Sequence, residues 1–135
     1  MAADTPALLI YGDTERNAAL RHELPLAIVD PLLFGIVDGR RHVMTNVIER
    51  AGIAAEAPDA ELHDIAELGF HELLESGISP SELDLELASR AAGRMGITEA
   101  IVDPEFPLLV ADRLRADGIE LTADAETFEA RRRVK

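Results

Sequence analysis

The sequence predicts an α/β fold: a mixed sheet of about six strands flanked by helices. Three observations carry that prediction. A short apolar run ends in Gly12-Asp13, an Asp-Gly pair joins two further apolar runs, and strand-length segments then alternate with helix-length amphipathic ones. Such alternation after a hairpin places helices on a sheet, and the hairpin makes the sheet mixed. A chain of 135 residues, 47% hydrophobic, suits one domain and buries roughly 68% of the surface its unfolded form exposes.

Ala7–Tyr11 reads as a buried first strand. Asp13 or Thr14 is placed to cap a helix through Leu20, supplying the oxygen that its free N–H groups need. Pro25 stops that helix and leads into Leu26–Val29. The clearest local signal follows: Leu32–Val37, Asp38-Gly39, Arg40–Thr45. Asp-Gly suits the two positive-φ positions of a type I′ turn, so these runs form a β-hairpin. Asn46 then caps a helix holding Val47, Ile48 and Ala51, with Gly52 weakening its middle.

Pro58-Asp59 breaks the chain before a short strand, Glu61–Ile65, and a short helix over Phe70–Glu75 closes at Gly77. Ser79-Pro80-Ser81-Glu82 is a strong helix start. Ser79 caps, Pro80 sits where its missing N–H costs nothing, and Glu82 closes a capping box. Leu83, Leu87, Ala91 and Met95 recur every fourth residue as one buried stripe, and Gly96 ends the helix. Ile97–Val102 is the next strand. Asp103-Pro104 opens a helix with Phe106, Leu109, Val110 and Leu114 on its apolar face and Gly118 beyond its end. Ile119–Thr122 is the last strand, and Asp124 opens an Arg-rich segment. Residues 1–124 are therefore the domain and 125–135 the start of a linking helix.

Bulk properties narrow the function. A net charge of −13 argues against nucleic-acid binding, which needs a basic footprint. The one dense basic cluster is Arg131, Arg132, Arg133 and Lys135, read as a helical run pairing at i,i+4 with Asp124, Glu126 and Glu129. Nothing approaches the ~20 apolar residues of a membrane span. The start MAADTPALLIYGD lacks a basic leader region, so a cytoplasmic location is expected. The absence of cysteine excludes disulfides, thiolate nucleophiles and Cys-based zinc sites.

Chemistry-bearing residues are present but have structural duties. On one continuous helix, His63, Glu67, His71 and Glu75 would share a face fit for zinc or manganese. Gly69 interrupts that helix and His63 ends a strand, so His71 and Glu75 read as a solvated pair. His42 alternates with Arg41 and Val43 in the hairpin and points to a cross-strand or surface role, and His22 suits the end of the first helix. Asp13, Asp30, Asp38, Asp64 and Asp103 fall near strand ends, where α/β proteins build sites. Such acids could hold two magnesium ions for phosphodiester cleavage. Capping by Asp13 and Asp103 and the turn at Asp38 account for three of them without catalysis. Ser76, Ser79 and Ser81 flank a turn and a cap, the nine glycines form no phosphate loop, and His71-Glu72-Leu73-Leu74 reaches Glu75 where a zinc-protease motif needs His.

In order, VDGRRHVMTNVIE resembles the central hairpin and following helix of the N-terminal domain of creatinase/prolidase-type "pita-bread" metallopeptidases, the Xaa-Pro aminopeptidase and dipeptidase group. AIVDPEFPLLVADRLRADGIEL resembles that domain's last strand-helix-strand unit, and FEARRRVK the junction into the catalytic domain. Many members have a Tyr-Leu-Thr-Gly-like stretch where Tyr11-Gly12-Asp13-Thr14 stands here. The resemblance implies a mixed sheet of ribonuclease-H-like topology. It also implies a partner, the C-terminal catalytic domain of the same protein. There two Asp, a His and two Glu hold two Mn, Co or Zn ions.

None of those ligands maps onto this chain, so no catalytic, cofactor or metal residue is assigned to it. The expected role is homo-oligomer assembly and control of substrate access, with the hairpin around Asp38–His42 as a candidate rim. The alternatives are a free-standing acidic α/β binding or scaffold module and a metal-dependent nuclease or hydrolase.

Overall fold

Asp38 and Gly39 adopt φ values of 52° and 79°, and around them β2 (Leu32–Val37) and β3 (Arg40–Thr45) pair as the predicted hairpin. The computed structural model describes residues 6–133. The leader reading of residues 1–5 and Lys135 of the basic cluster lie outside them. Along the chain, β1 (Ala7–Gly12) and α1 (Ala18–Glu23) precede the hairpin. After it come α2 (Arg50–Glu56), β4 (Glu61–Asp64), α3 (Phe70–Glu75), α4 (Pro80–Met95), β5 (Glu99–Val102), α5 (Leu108–Ala116), β6 (Glu120–Ala123) and α6 (Ala125–Arg133).

The six strands form one sheet in the order β4-β3-β2-β1-β5-β6. β2 is antiparallel to both neighbours, while the β1–β5, β5–β6 and β3–β4 pairs are parallel. The sheet is mixed for the reason the sequence gives: a hairpin reverses one strand, and helical crossovers return the rest in one direction. Adjacent residues in the central strands, Leu9 with Ile10 and Leu33 with Phe34, are all buried. Neighbours on a strand point to opposite faces, so both faces of the sheet are covered. α4 packs on β2 with α3 and α5 beside it, and α6 packs on α1.

Gly35 is what lets α4 come so close. A β-carbon there would stand 3.0 Å from Met95 Sδ and 3.3 Å from Leu9 Cδ2. The predicted stripe Leu83, Leu87, Ala91, Met95 is buried beneath this helix. Ser79 caps it, accepting from Glu82 N at 3.3 Å, and Gly96 closes it with a φ of 74°.

Three helices start later than predicted. Asn17, not Asp13 or Thr14, caps α1, its Oδ1 accepting from Leu20 N at 3.0 Å. Thr14 has a different task. Its buried hydroxyl donates to Leu26 O at 2.7 Å and accepts from Ile28 N at 2.8 Å. It thereby anchors an extended segment that joins no strand but carries the fully buried Ile28. Asn46 caps a turn before α2, accepting from Glu49 N at 2.7 Å. That start leaves Val47 and Ile48 exposed and makes Ile53 the buried residue of α2. α5 begins after Pro107 and buries Val110, Ala111 and Leu114, while Leu109 faces solvent.

α6 is tied back onto the domain. Phe128 is buried, and Arg131 grips Glu23 of α1 through Nε and Nη2 at 2.6 and 3.0 Å. This cross-helix fork stands where i,i+4 pairs along the helix were expected; Arg133 reaches Glu126 at 2.8 Å, seven residues away.

Candidate functional site

All strands but β2 run the same way, so the carboxyl ends of β1, β3 and β4 meet the start of β2 at one end of the sheet. Strand carboxyl ends are where open α/β sheets hold ligands. A cleft of about 500 Å³ lies there, lined by Tyr11, Asp30, Thr45, Phe70, Leu83 and Asp84 among others. Val47 and Ile48 stand at its edge, 85% and 81% exposed.

The cleft is apolar inside and acidic. Burial, with the nearby Asp84 carboxylate, pushes the Tyr11 phenol up to about 12. Burial also raises Asp84 above the ordinary carboxylate value, and Asp30 adds to the effect. The Thr45 hydroxyl is buried without a hydrogen-bond partner. Buried polar atoms are almost always paired, so this hydroxyl is an exception in the wall of the cleft. Perturbed acids and apolar walls make the cleft a candidate binding surface.

The strand-end aspartates divide by their partners. Asp13 accepts from Arg16 N at 2.9 Å, and Asp64 from Ala66 N at 3.1 Å and Arg50 Nη1 at 2.7 Å. Asp38 sits in the hairpin turn, at the end of the sheet away from the cleft, and so does the candidate rim around it. Asp103 is buried, with Oδ2 accepting from Asn17 Nδ2 at 3.1 Å and from Glu105 N at 3.3 Å, while Oδ1 has no partner. Among the described residues these aspartates do not draw together in groups able to share an ion.

Burial raises Asp103 above its ordinary value of 3.8, against the pull of Asn17 and Glu105 N–H. A raised folded value means the native state favours the protonated acid. That contribution is complete below pH 3.8 and is lost as pH climbs through the higher folded value. Asp103→Asn should therefore gain on the wild type between about pH 4 and pH 7, read by urea unfolding at both. An offset that is the same at both values would show that burial does not perturb this group.

The histidines fall differently from the single helical face. His63 lies on β4 and His71 on α3, separated by a turn in which Gly69 has a φ of 94°. His71 borders the cleft, and His22 occupies the last turn of α1 as predicted. His42 has the expected cross-strand role, but its partner is His63: the two rings meet at 3.0 Å beside Glu61. Sequence spacing could not reveal this group, because it depends on which residues of β3 and β4 share a register.

No protein-family model matches the chain, and no curated protein matches it in sequence. Solved structures do match in fold. A Xaa-Pro dipeptidase from Bacillus anthracis superposes with a TM-score of 0.64 at 13% identity, over 98% of this chain and 32% of that one. An X-Pro aminopeptidase from Thermotoga maritima gives 0.65 at 13% identity, over 96% and 34%. The N-terminal domain of cytoplasmic peptidase PepQ from Mycobacterium tuberculosis gives 0.55 at 20% identity, over 92% and 85%. This chain thus spans about a third of the length of the whole dipeptidase. Its fold is that of the creatinase/prolidase N-terminal domain.

Proposed function

We propose that this chain is the non-catalytic N-terminal domain of a Xaa-Pro metallopeptidase, serving oligomer assembly and control of substrate access in the cytoplasm. The observation that carries the reading is the unequal coverage: nearly all of this chain aligns with about a third of a Xaa-Pro dipeptidase. In the proposal the remaining length corresponds to a C-terminal catalytic domain of the same protein, holding two Mn, Co or Zn ions. A dinuclear hydrolytic centre needs clustered, deprotonated ligands around a water, whereas Asp13, Asp64 and Asp103 are engaged by N–H groups and arginines.

The exposed pair Val47 and Ile48 beside the strand-end cleft supports an assembly role. Burying two adjacent large apolar side chains against another surface would be favourable. The test is to express the whole product of the native gene beside residues 1–135. The whole product should cleave Xaa-Pro dipeptides with Mn²⁺ while residues 1–135 remain silent. Val47→Asp with Ile48→Asp should shift the whole product to smaller species in sedimentation velocity and alter the stability of residues 1–135 by no more than about 0.5 kcal/mol. A gene product with no metallopeptidase domain would leave a free-standing binding module as the reading. Turnover by residues 1–135 that disappears in His71→Ala with Glu75→Ala would overturn the non-catalytic assignment.

A further inference from the structure

β3 and β4 pair in parallel, with His42 opposite Glu61 and Met44 opposite His63. Residues two apart on a strand share a face, so His42, Glu61 and His63 stand together at the β4 edge of the sheet. Both imidazoles are buried, and Glu61 reaches the surface with its side chain 43% exposed. His42 Nδ1 faces His63 Nε2 at 3.0 Å. The ring planes differ by 9° with centroids 5.2 Å apart. The centroid gap exceeds the nitrogen gap by about 2.2 Å, which the two ring radii account for. The rings therefore lie edge to edge in one plane, nitrogen toward nitrogen, rather than face over face.

Two facing lone pairs at that distance repel, so in the absence of an ion one N–H must lie between them. A cation answers the same need. Imidazole nitrogens bound to zinc at about 2.0–2.1 Å stand ~3 Å apart when they subtend roughly a right angle. The donor atoms of His42, Glu61 and His63 all lie within 4.8 Å of one another. Turning each ring by roughly 45° toward Glu61 would bring the in-line nitrogens to converge on one ion.

We propose that His42, Glu61 and His63 form a divalent transition-metal site whose occupant is Zn²⁺. Two imidazoles and a carboxylate select zinc over the oxygen-seeking Mg²⁺ and Ca²⁺, and three protein ligands leave one position for water. Burial holds both imidazoles below their ordinary value, so they are neutral at neutral pH, as ligands must be. Among the described residues Glu61 is otherwise held only by Arg40 at 3.3 Å, a surface pair that is cheap to release. Glu61 also marks the route in, being the one donor that reaches solvent. The ion would fasten the edge strand β4 to β3. The site lies within residues 42–63 and is independent of the peptidase reading.

The experiment is a zinc chloride titration of the tag-free 135-residue chain, followed by calorimetry and by imidazole ¹⁵N resonances. One ion per chain should bind. The facing nitrogens of His42 and His63 should shift while those of His22 and His71 stay still, and magnesium chloride should do nothing. Glu61→Gln, at a half-exposed position that tolerates change, should weaken binding at least tenfold. Zinc that leaves the His42 and His63 resonances unmoved, or moves His22 and His71 instead, overturns the site. Unchanged affinity in Glu61→Gln removes the carboxylate and with it the three-ligand assignment. The resonance readout needs no variant, so it decides the matter even if substitutions at the buried histidines fail to fold.

Discussion

Phe34→Ala should destabilise the domain by about 3–5 kcal/mol, the usual loss for a buried phenylalanine. Phe34 is 1% exposed in the central strand, paired with Ile10 on one side and Val43 on the other. Only four phenylalanines are present and there is no tryptophan, so the core around it is built from aliphatic side chains and alanines. Those side chains are held by a sheet on one side and helices on the other, and they cannot move far enough to fill a vacated ring. Domains of this size are stable by about 5–15 kcal/mol, so the variant should lie near the edge of folding. Urea denaturation followed by circular dichroism measures the loss. A fall of less than about 1 kcal/mol would mean that the site collapses freely and that the core around Phe34 is not tightly packed.

Asn17→Ala should cost about 2–4 kcal/mol, unusually large for one polar residue at a helix start. Two losses combine. The amide oxygen caps α1 through Leu20 N, worth about 1 kcal/mol. The amide nitrogen is also the donor to the buried Asp103 carboxylate, 86 residues away in sequence. Losing that donor leaves the buried carboxylate with only the longer bond from Glu105 N at 3.3 Å among the described residues, which adds roughly 1–3 kcal/mol. The two residues act as a unit, so adding Asp103→Asn to Asn17→Ala should cost less than the separate effects combined. Strict additivity in that double-mutant cycle would show that the contact joining the end of β5 to the start of α1 contributes nothing.

The sequence by itself determined the elements whose signals are local. The type I′ hairpin at Asp38-Gly39 was legible because only certain residues tolerate two positive φ values in succession. The long helix α4 was legible from its Ser79-Pro80 start, its every-fourth-residue stripe and its Gly96 stop. The α/β class and mixed sheet followed from the order of such signals. The fold family was legible from the arrangement of the hairpin, the last strand-helix-strand unit and the Arg-rich end.

Contacts between distant segments were decided only by the tertiary structure. Asn17 displaced Asp13 as the cap because the end of β5 places Asp103 against it, a pairing no local spacing encodes. Leu26–Val29 has the composition of a strand, but Thr14 claims its backbone groups and keeps it out of the sheet. Leu109 faces water because Pro107 delays the start of α5 and turns the helix so that Val110, Ala111 and Leu114 point inward. Sequence spacing relates His63 to His71, eight residues on, whereas the parallel register of β3 and β4 delivers it to His42. Turn and helix signals lie within a few residues, where backbone sterics and periodicity act. Register and burial depend on which surfaces meet, so the cleft and the imidazole pair exist only once the chain has folded.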